Sequence, residues 1–263
     1  MEVEDINHPV WAEAWKVAYG EGMTIYNLSA ATFLRSCGDY HTIIADPPDG
    51  IGLKYNEYSD DWDAQSYTRW LAEIIHLAIR RCQVFWLSYN ARWMHDVGPI
   101  IVPLVKEGYR ARTFIWSFGF GQYQSKDSAN CFRPILRLSS GGWRPTLDTV
   151  RVESTRQRMG DRRANPKGKI PGDVLAFSRI QGNNRERRSW HPTQHPEGLI
   201  EFLVKSSGGG PVLDPFLGSG TTMRVCKRLG VECDGVEIDS EYCRRVSEEL
   251  DVPVKKTMFG IGT

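Results

Sequence analysis

The chain has 263 residues, 41% of them apolar, which suits one large domain with a substantial core. Its 33 lysines and arginines nearly balance 32 aspartates and glutamates, so the overall charge indicates no class of partner. The acidic start "MEVEDIN" does not resemble a secretion signal, and no run approaches the roughly 20 apolar residues of a membrane span. We therefore expect a cytoplasmic protein without membrane contact. The six cysteines contain no CxxC pair, which predicts reduced, mostly buried thiols.

Short apolar runs alternate with helical patterns along most of the chain. The apolar residues of 66–82 recur at helical spacing, and basic residues occupy the last turn. Buried strands that alternate with helices predict a mainly parallel sheet covered on both faces. The predicted strands are 23–28, 41–45, 83–89, 111–118, 173–177, 211–216 and 233–238, and the predicted helices are 29–37, 66–82, 97–108, 196–207, 220–230 and 240–250.

Three details of these helices are further predictions. Gly38 is expected to close the first helix, and Pro103 to interrupt the helix over 97–108. The serine at position 240 is expected to cap the last helix.

The stretch "IIADPPDG" (43–50) places Asp46 directly after a buried strand. Two consecutive prolines lack N–H groups and have fixed φ, so they form a stiff turn. In such a turn, the Asp46 carboxylate and the Pro47 carbonyl would be hydrogen-bond acceptors for an NH₂ group. Acceptors that hold the hydrogens of a base's exocyclic amine expose its lone pair, which favours direct displacement without a covalent intermediate.

A basic segment interrupts the alternating pattern. Residues 122–190 contain 15 lysines and arginines but only 6 aspartates and glutamates, and long apolar periodic runs are scarce in it. Such asymmetry is typical of a surface that faces nucleic acid, although a solvated loop would also show it.

The stretch "VLDPFLGSGTT" (212–222) reads as a strand, an acid, a glycine turn and a helix start. About twenty residues later, Glu237 ends the next predicted strand, where an acid can bind ribose hydroxyls. The loop contains no lysine of the kind that grips terminal phosphates. Asp214 would repel a pyrophosphate and suit an ammonium group, so S-adenosylmethionine fits better than NAD.

Together these motifs resemble the β-class DNA amino-methyltransferases, which modify N6 of adenine or N4 of cytosine. The resemblance rests on the order "ADPPDGIGLKY", a variable basic region, "HPTQHPEGLIEFLVKSS", "VLDPFLGSGTT" and "GVEIDSEY", and covers roughly residues 22–120 and 190–250. It implies a Rossmann-like methyltransferase fold with circularly permuted motif order. Residues 1–121 and 190–263 would form the catalytic domain, and 122–189 a basic target-recognition insert.

The resemblance also implies roles for individual residues and partners. The implied substrate is double-stranded DNA, and the implied cofactor is S-adenosylmethionine. The protein would be encoded by a bacterium or a phage and would associate with the nucleoid. A homodimer and a cognate restriction nuclease are left open. The spacing of His191 and His195 lacks a third ligand cluster, so we predict no metal. The implied catalytic residues are Asp46, Pro47, Pro48 and Asp49; the cofactor-binding residues are Thr193, Asp214, Phe216, Gly218, Ser219, Gly220, Thr221, Thr222, Glu237 and Ile238; and the DNA-binding residues are Arg144, Arg156, Arg158, Arg162, Arg163, Arg185, Arg187 and Arg188.

Three positions depart from the family pattern. Asp49 stands where an aromatic residue usually stacks on the flipped base, His195 where lysine is more common, and Ser29 where an aspartate often meets the cofactor's adenine. Tyr55, Tyr58 or Trp62 could take over the stacking, or Asp49 could accept a hydrogen bond from the base.

Adenine is the predicted target because the catalytic turn begins with Asp and not Ser. The alternatives are N4-cytosine methylation, the same chemistry on RNA, or a non-catalytic DNA-binding relative whose site decayed at position 49.

Overall fold

The computed structural model describes residues 22–53, 55–56, 58–122 and 126–256. The acidic start of the chain, on which the expectation about secretion rests, lies outside this range. The described strands are β1 (Ile25–Asn27), β2 (Tyr40–Ala45), β3 (Cys82–Ser88), β4 (Arg110–Gln122), β5 (Asn130–Ser139), β6 (Val174–Ala176), β7 (Val212–Asp214), β8 (Cys233–Glu237) and β9 (Val254–Lys255). The described helices are α1 (Ala30–Ser36), α2 (Ala64–Ile79), α3 (Met94–Lys106), α4 (Thr155–Arg158), α5 (Glu197–Ser207), α6 (Thr221–Leu229) and α7 (Ser240–Leu250).

The strands form one sheet in the order β6-β4-β5-β3-β2-β7-β8-β1-β9. All the pairings are parallel except those of β5, which runs antiparallel to both β3 and β4. This confirms the predicted mainly parallel sheet. Strands β2 and β7 pair at the centre, and the chain continues from them in opposite directions across the sheet. Ligands of open α/β sheets bind at such a switch point, beyond the carboxyl ends of the strands.

Both faces of the sheet are buried, as its nearly continuous apolar strands predict. Alternation along β2 sends Ile43 to the face covered by α1, α2 and α3 and Ile44 to the face covered by α5, α6 and α7. In β3, Phe85 and Trp86 divide in the same way, and both are fully buried. The Trp86 indole N–H donates to the Ser207 hydroxyl at 2.9 Å, so its polar edge is satisfied within the core.

The predicted strand at 211–216 and helix at 220–230 are present, but three details of other helices were wrong. Helix α3 begins earlier than predicted and runs without interruption through Pro103. Pro103 has no N–H to donate to the preceding turn, but it is exposed, so the carbonyl that lacks this donor is accessible to solvent. The cap of α7 is Asp239, whose carboxylate accepts two N–H groups of the first turn, and not the serine that follows. Helix α1 ends at a Cys37 cap, one residue before Gly38.

Strand β5 was missed entirely, and it lies inside the segment predicted as an insert. Its sequence "NCFRPILRLS" contains Pro134 and two arginines, which disguise an otherwise apolar strand. Strands β5 and β6 both belong to the central sheet, so 130–139 and 174–176 are part of the same body as the other strands, whereas 140–173 lie outside the sheet. The proposed boundaries of a DNA-reading insert remain a prediction.

Candidate active site

A cavity of about 460 Å³ opens at the carboxyl ends of β2 and β7. It is lined by Asp46 from the Asp-Pro-Pro turn and by Gly218 and Ser219 from the glycine turn. The pairing of Ile43 with Leu213 sets the ends of the two strands side by side, which is why turns 170 residues apart reach one cavity. Its size is that of a small-molecule site.

The Asp-Pro-Pro turn is held from behind by two aromatic residues. The Tyr67 hydroxyl donates to the Pro48 carbonyl at 2.8 Å, and the Trp93 indole N–H donates to the Asp49 carbonyl at 2.7 Å. The two rings stack on each other with centroids 4.4 Å apart. A stiff turn on a rigid aromatic support gives the Asp46 side chain a fixed origin.

One oxygen of the Asp46 carboxylate contacts Arg133, and the other contacts His195. Arg133 Nη2 donates to Asp46 Oδ1 at 2.7 Å, and His195 Nδ1 lies 2.8 Å from Asp46 Oδ2. Burial tends to raise the pKa of Asp46, but His195 and Arg133 outweigh it and hold this pKa well below the usual range of an aspartate. The side chain keeps 32% of its surface exposed. Asp46 is therefore an ionised acceptor that faces the cavity and is a poor general base.

A second acid, Asp60, closes the loop that follows the turn. It is 1% exposed, and its carboxylate accepts the N–H groups of Gly50 at 2.8 Å and Ile51 at 3.2 Å. Gly50 has φ +64°, and a Cβ there would lie 2.6 Å from the Tyr67 ring, so this bend requires glycine. Asp60 thus fixes the loop that carries Tyr55 and Tyr58.

We predict that Asp60→Ala lowers the free energy of unfolding by about 1–3 kcal/mol, because it leaves the buried Gly50 amide without an acceptor. Asp60→Asn should cost less, since one acceptor oxygen remains. Urea unfolding followed by fluorescence checks both variants. The exposed neighbour Asp61 is the control position, and an alanine there that costs as much would contradict the assignment.

The glycine turn is organised by Glu237 at the end of β8. Glu237 Oε2 accepts the Gly218 N–H at 2.8 Å, and Oε1 accepts the Asp239 N–H at 2.9 Å. Burial raises the pKa of Glu237 to about 7, and the two amides only partly offset this. Gly218 has φ +49°, and a Cβ there would lie 2.8 Å from His191 Nε2. No other residue type can occupy position 218 without displacing the histidine.

Asp214 forms the floor of the cavity at the end of β7. Its carboxylate accepts the Phe216 N–H at 3.0 Å and bonds the Thr222 side chain. Burial raises its pKa to about 6, so the carboxylate is ionised at neutral pH and able to face a cationic group.

Most of the other predicted site residues also face this cavity. Gly220 does not: it has φ +77°, and a Cβ there would lie 2.6 Å from Val246, so it serves the packing of α6 against α7. The cavity lining includes Pro47, Pro48, Asp49, Thr193, Phe216, Ser219, Thr221, Thr222 and Ile238.

The three aromatic residues considered as stacking partners divide into two groups. Tyr55 and Tyr58 line the cavity, with ring centroids 6.0 Å apart. Trp62 packs against Trp70 in the core, 5.7 Å between centroids, and is absent from the cavity lining.

The eight predicted DNA-binding arginines lie outside the cavity and differ in their partners. Arg188 is engaged by a helix that covers the central sheet, since its Nε donates to Glu249 of α7 at 2.9 Å. Arg158 and Arg163 form exposed ion pairs with neighbouring acids, which cost little to exchange for phosphates. The remaining five are exposed: Arg144, Arg156, Arg162, Arg185 and Arg187.

Sequence reasoning missed Arg133, Ser88 and Asn90, which the fold brings to the Asp-Pro-Pro turn. Arg133 was counted only as one charge of the basic segment, yet it contacts Asp46 directly. The one available signal was Asp49 itself, because a second carboxylate beside a catalytic acid needs a cation.

Within the described residues, no group of three or more histidine, cysteine or acidic side chains is arranged to hold a metal ion. In the same part of the chain, no helix combines the length and apolar character needed to cross a bilayer.

Known proteins resemble this chain in sequence and in fold. The N6/N4 family model, described as DNA methylase, matches residues 40–249. The chain is 30% identical over 227 residues to the DNA adenine methyltransferase YhdJ of Escherichia coli, covering 80% of this chain and 76% of that one. Its fold resembles the cytosine-N4-specific PvuII DNA methyltransferase (TM-score 0.66, 16% identity, 86% of both chains). It also resembles TTHA0409 of Thermus thermophilus, a putative DNA modification methylase complexed with S-adenosyl-L-methionine (TM-score 0.59, 19% identity, 90% of this chain and 99% of that one).

Proposed function

This chain belongs to the N6/N4 family of DNA methylases, and we propose that it methylates N6 of adenine in DNA, with S-adenosylmethionine as the donor. Membership makes it a DNA amino-methyltransferase; the adenine target is the proposed part. The observation that carries the proposal is the shared cavity, which an ionised Asp46 lines together with Gly218 of the glycine turn and Glu237 at the end of β8. The similarity to an adenine methyltransferase of E. coli supports adenine over cytosine.

The residues present fit S-adenosylmethionine. Glu237 has acceptor capacity for the ribose hydroxyls, Asp214 is an anion for the ammonium, and Phe216 and Ile238 offer apolar surface to the adenine. A Cβ at Gly218 would fill part of this cradle. When bound, the cofactor supplies an electrophilic methyl group on a sulfonium sulfur.

Asp46 and Pro47 orient the amine that accepts this methyl group. The Asp46 carboxylate and the Pro47 carbonyl accept its two hydrogens, which turns the nitrogen lone pair towards the methyl carbon. With the cofactor bound, formation of the N–C bond would accompany cleavage of its C–S bond and leave a neutral thioether, so Asp46 and Pro47 need only hold the amine in line with the methyl carbon. The amine then loses one proton to solvent, since Asp46, held ionised by Arg133 and His195, is a poor base.

The DNA must present its base outside the helix to reach this turn. We assign the phosphate contacts to the exposed arginines of the basic segment, and the stacking on the flipped base to Tyr55 and Tyr58. Both tyrosines line the cavity, which supports that role.

Nucleoside mass spectrometry tests the function directly. The protein is incubated with isotope-labelled S-adenosylmethionine and either double-stranded DNA or RNA, and the products are digested to nucleosides. Labelled N6-methyldeoxyadenosine from DNA is expected. Recovery of N4-methylcytosine alone would overturn the adenine target, label only in RNA would overturn the substrate, and tight DNA binding without any product would favour a non-catalytic relative.

We predict that affinity for the ribose part of the cofactor falls as the pH falls from 8 to 6. Glu237 has a pKa of about 7 without ligand, and its protonated form is the weaker acceptor, so one titrating group allows up to about a tenfold loss at pH 6. Calorimetry with 5′-methylthioadenosine isolates this effect, since that probe lacks the ammonium and the sulfonium. Glu237→Gln should bind more weakly at pH 8 and lose most of the pH dependence; an unchanged slope in this variant would refute the role of Glu237.

A further inference from the structure

Asp49 is the acid in the catalytic turn for which the proposed reaction has no use. Its Oδ2 accepts from Arg133 Nη1 at 3.1 Å and from the Asn90 amide at 3.2 Å, and its Oδ1 lies 2.8 Å from Arg133 Nη2. The side chain is 13% exposed. Asp49 is thus directed towards β5 and Arg133, and these contacts occupy it.

Arg133 divides its guanidinium among three partners. Nη2 donates to Asp46 at 2.7 Å, Nη1 donates to Asp49, and Nε donates to the Ser88 hydroxyl at 2.7 Å. A guanidinium that meets a single carboxylate prefers the bidentate geometry, in which two N–H groups cover both oxygens. Because Asp49 also binds the Arg133 guanidinium, Arg133 donates only one N–H to Asp46. Asp46 therefore keeps acceptor capacity for an amine.

The remaining oxygen of Asp46 belongs to a closed ring of hydrogen bonds. Ser88 Oγ accepts from Arg133 Nε and lies 2.9 Å from His195 Nε2, so its own proton is free to go to that nitrogen. His195 Nδ1 then carries the proton that faces Asp46 Oδ2. Each donor in the ring is used once.

We propose that Asp49 and Arg133 form a positioning pair that keeps the Asp46 carboxylate free to accept the target amine, with Asp49 as the counter-ion that prevents Arg133 from clamping it. The inference rests on the proposed function and explains why this turn carries an acid where its relatives usually carry an aromatic ring.

The charge of the cluster supports this role. Two carboxylates face one guanidinium and one histidine, so Asp49 adds a negative charge beside the cavity. Methyl transfer places a positive charge on the amine nitrogen, and a fixed negative group stabilises it most in a partly buried site. Without Asp49 the cluster would carry one negative charge less.

The experiment compares kcat, KM for DNA and cofactor affinity for the wild type, Asp49→Asn, Asp49→Tyr, Arg133→Met and the double variant Asp49→Asn/Arg133→Met. We expect Asp49→Asn and Asp49→Tyr to lower kcat by about 10- to 100-fold, with cofactor affinity within about threefold, because the acceptor is displaced. The double variant should recover at least about threefold over Asp49→Asn, since the arginine that clamps Asp46 is gone. Arg133→Met should move the acidic limb of the kcat profile to higher pH, because Asp46 loses a cation.

Arg112→Met is the matched control, since Arg112 lies on the adjacent strand β4, pairs with the exposed Asp173 and the Phe114 ring, and does not line the cavity. It should leave every readout unchanged. Three outcomes would overturn the pairing. They are a gain of activity in Asp49→Tyr, an unchanged kcat in Asp49→Asn, and a loss of kcat in the double variant equal to the product of the two single losses. Urea unfolding of the same set measures the coupling of Asp49 with Arg133 without turnover. Failure of the wild type to methylate any base would thus count against the proposed function. Additive effects of the two substitutions on the free energy of unfolding would count against the pairing of Asp49 with Arg133.

Discussion

Asp46→Ala is expected to lower the rate of methyl transfer by about 10²–10³-fold or more, with DNA and cofactor affinities within a few-fold of the wild type. Asp46 is the more open acid of the turn, 32% exposed against 13% for Asp49, which is engaged by Arg133 and Asn90. Its loss removes the group that orients the amine but none of the groups assigned to the cofactor. Single-turnover assays with labelled cofactor measure the chemical step directly.

Asp46→Asn makes the same test more specific. It keeps the shape of the side chain and one acceptor oxygen but removes the charge, so a loss close to that of alanine would show that the charge matters. Asp61→Asn is the matched control, since Asp61 is an exposed acid in the loop that follows the turn. If Asp46→Ala retains wild-type turnover, Asp46 is not catalytic and the proposed mechanism fails.

Gly218→Val is expected to weaken cofactor binding by about 100-fold or more. A β-branched residue at φ +49° is strained, and its Cβ would lie 2.8 Å from His191 Nε2. His191 is held by the Thr193 carbonyl and packs against Tyr242, with ring centroids 4.9 Å apart, so it cannot move without disturbing the cavity wall. Calorimetric titration with S-adenosylmethionine and its homocysteine product measures the loss.

Gly230→Val separates strain from the loss of the site. Gly230 caps α6 with φ +66°, and a Cβ there would meet no atom within 4 Å, so this variant carries similar backbone strain without the clash. It should lose stability but bind the cofactor normally. Equal loss of affinity in both variants would mean that general destabilisation, and not the shape of the turn, is responsible.

Elements with a strong local signal were predictable. Strand β2 and helix α2 follow directly from an apolar run and from helical spacing, and the Gly230 end of α6 from the rule that helices finish with glycine. Strand β5 was not predictable, because Pro134 and the arginines in it make its sequence look like that of a surface segment. Its arginines are tolerated because they find partners inside: Arg133 pairs with two acids, and Arg137 lies 5.0–5.4 Å from three aromatic rings.

The sequence was enough to predict that the two turns meet, since Asp46 and the glycine turn each follow a buried strand and such strands end at one edge of a parallel sheet. The tertiary structure alone decided how Asp46 is held. Arg133 lies 87 residues away on an antiparallel strand, and no local pattern records that β5 pairs with β3 and delivers its guanidinium between two carboxylates. Spacing along the chain reports backbone geometry, whereas ion pairs between distant strands depend on sheet order, which the packing of the whole domain sets.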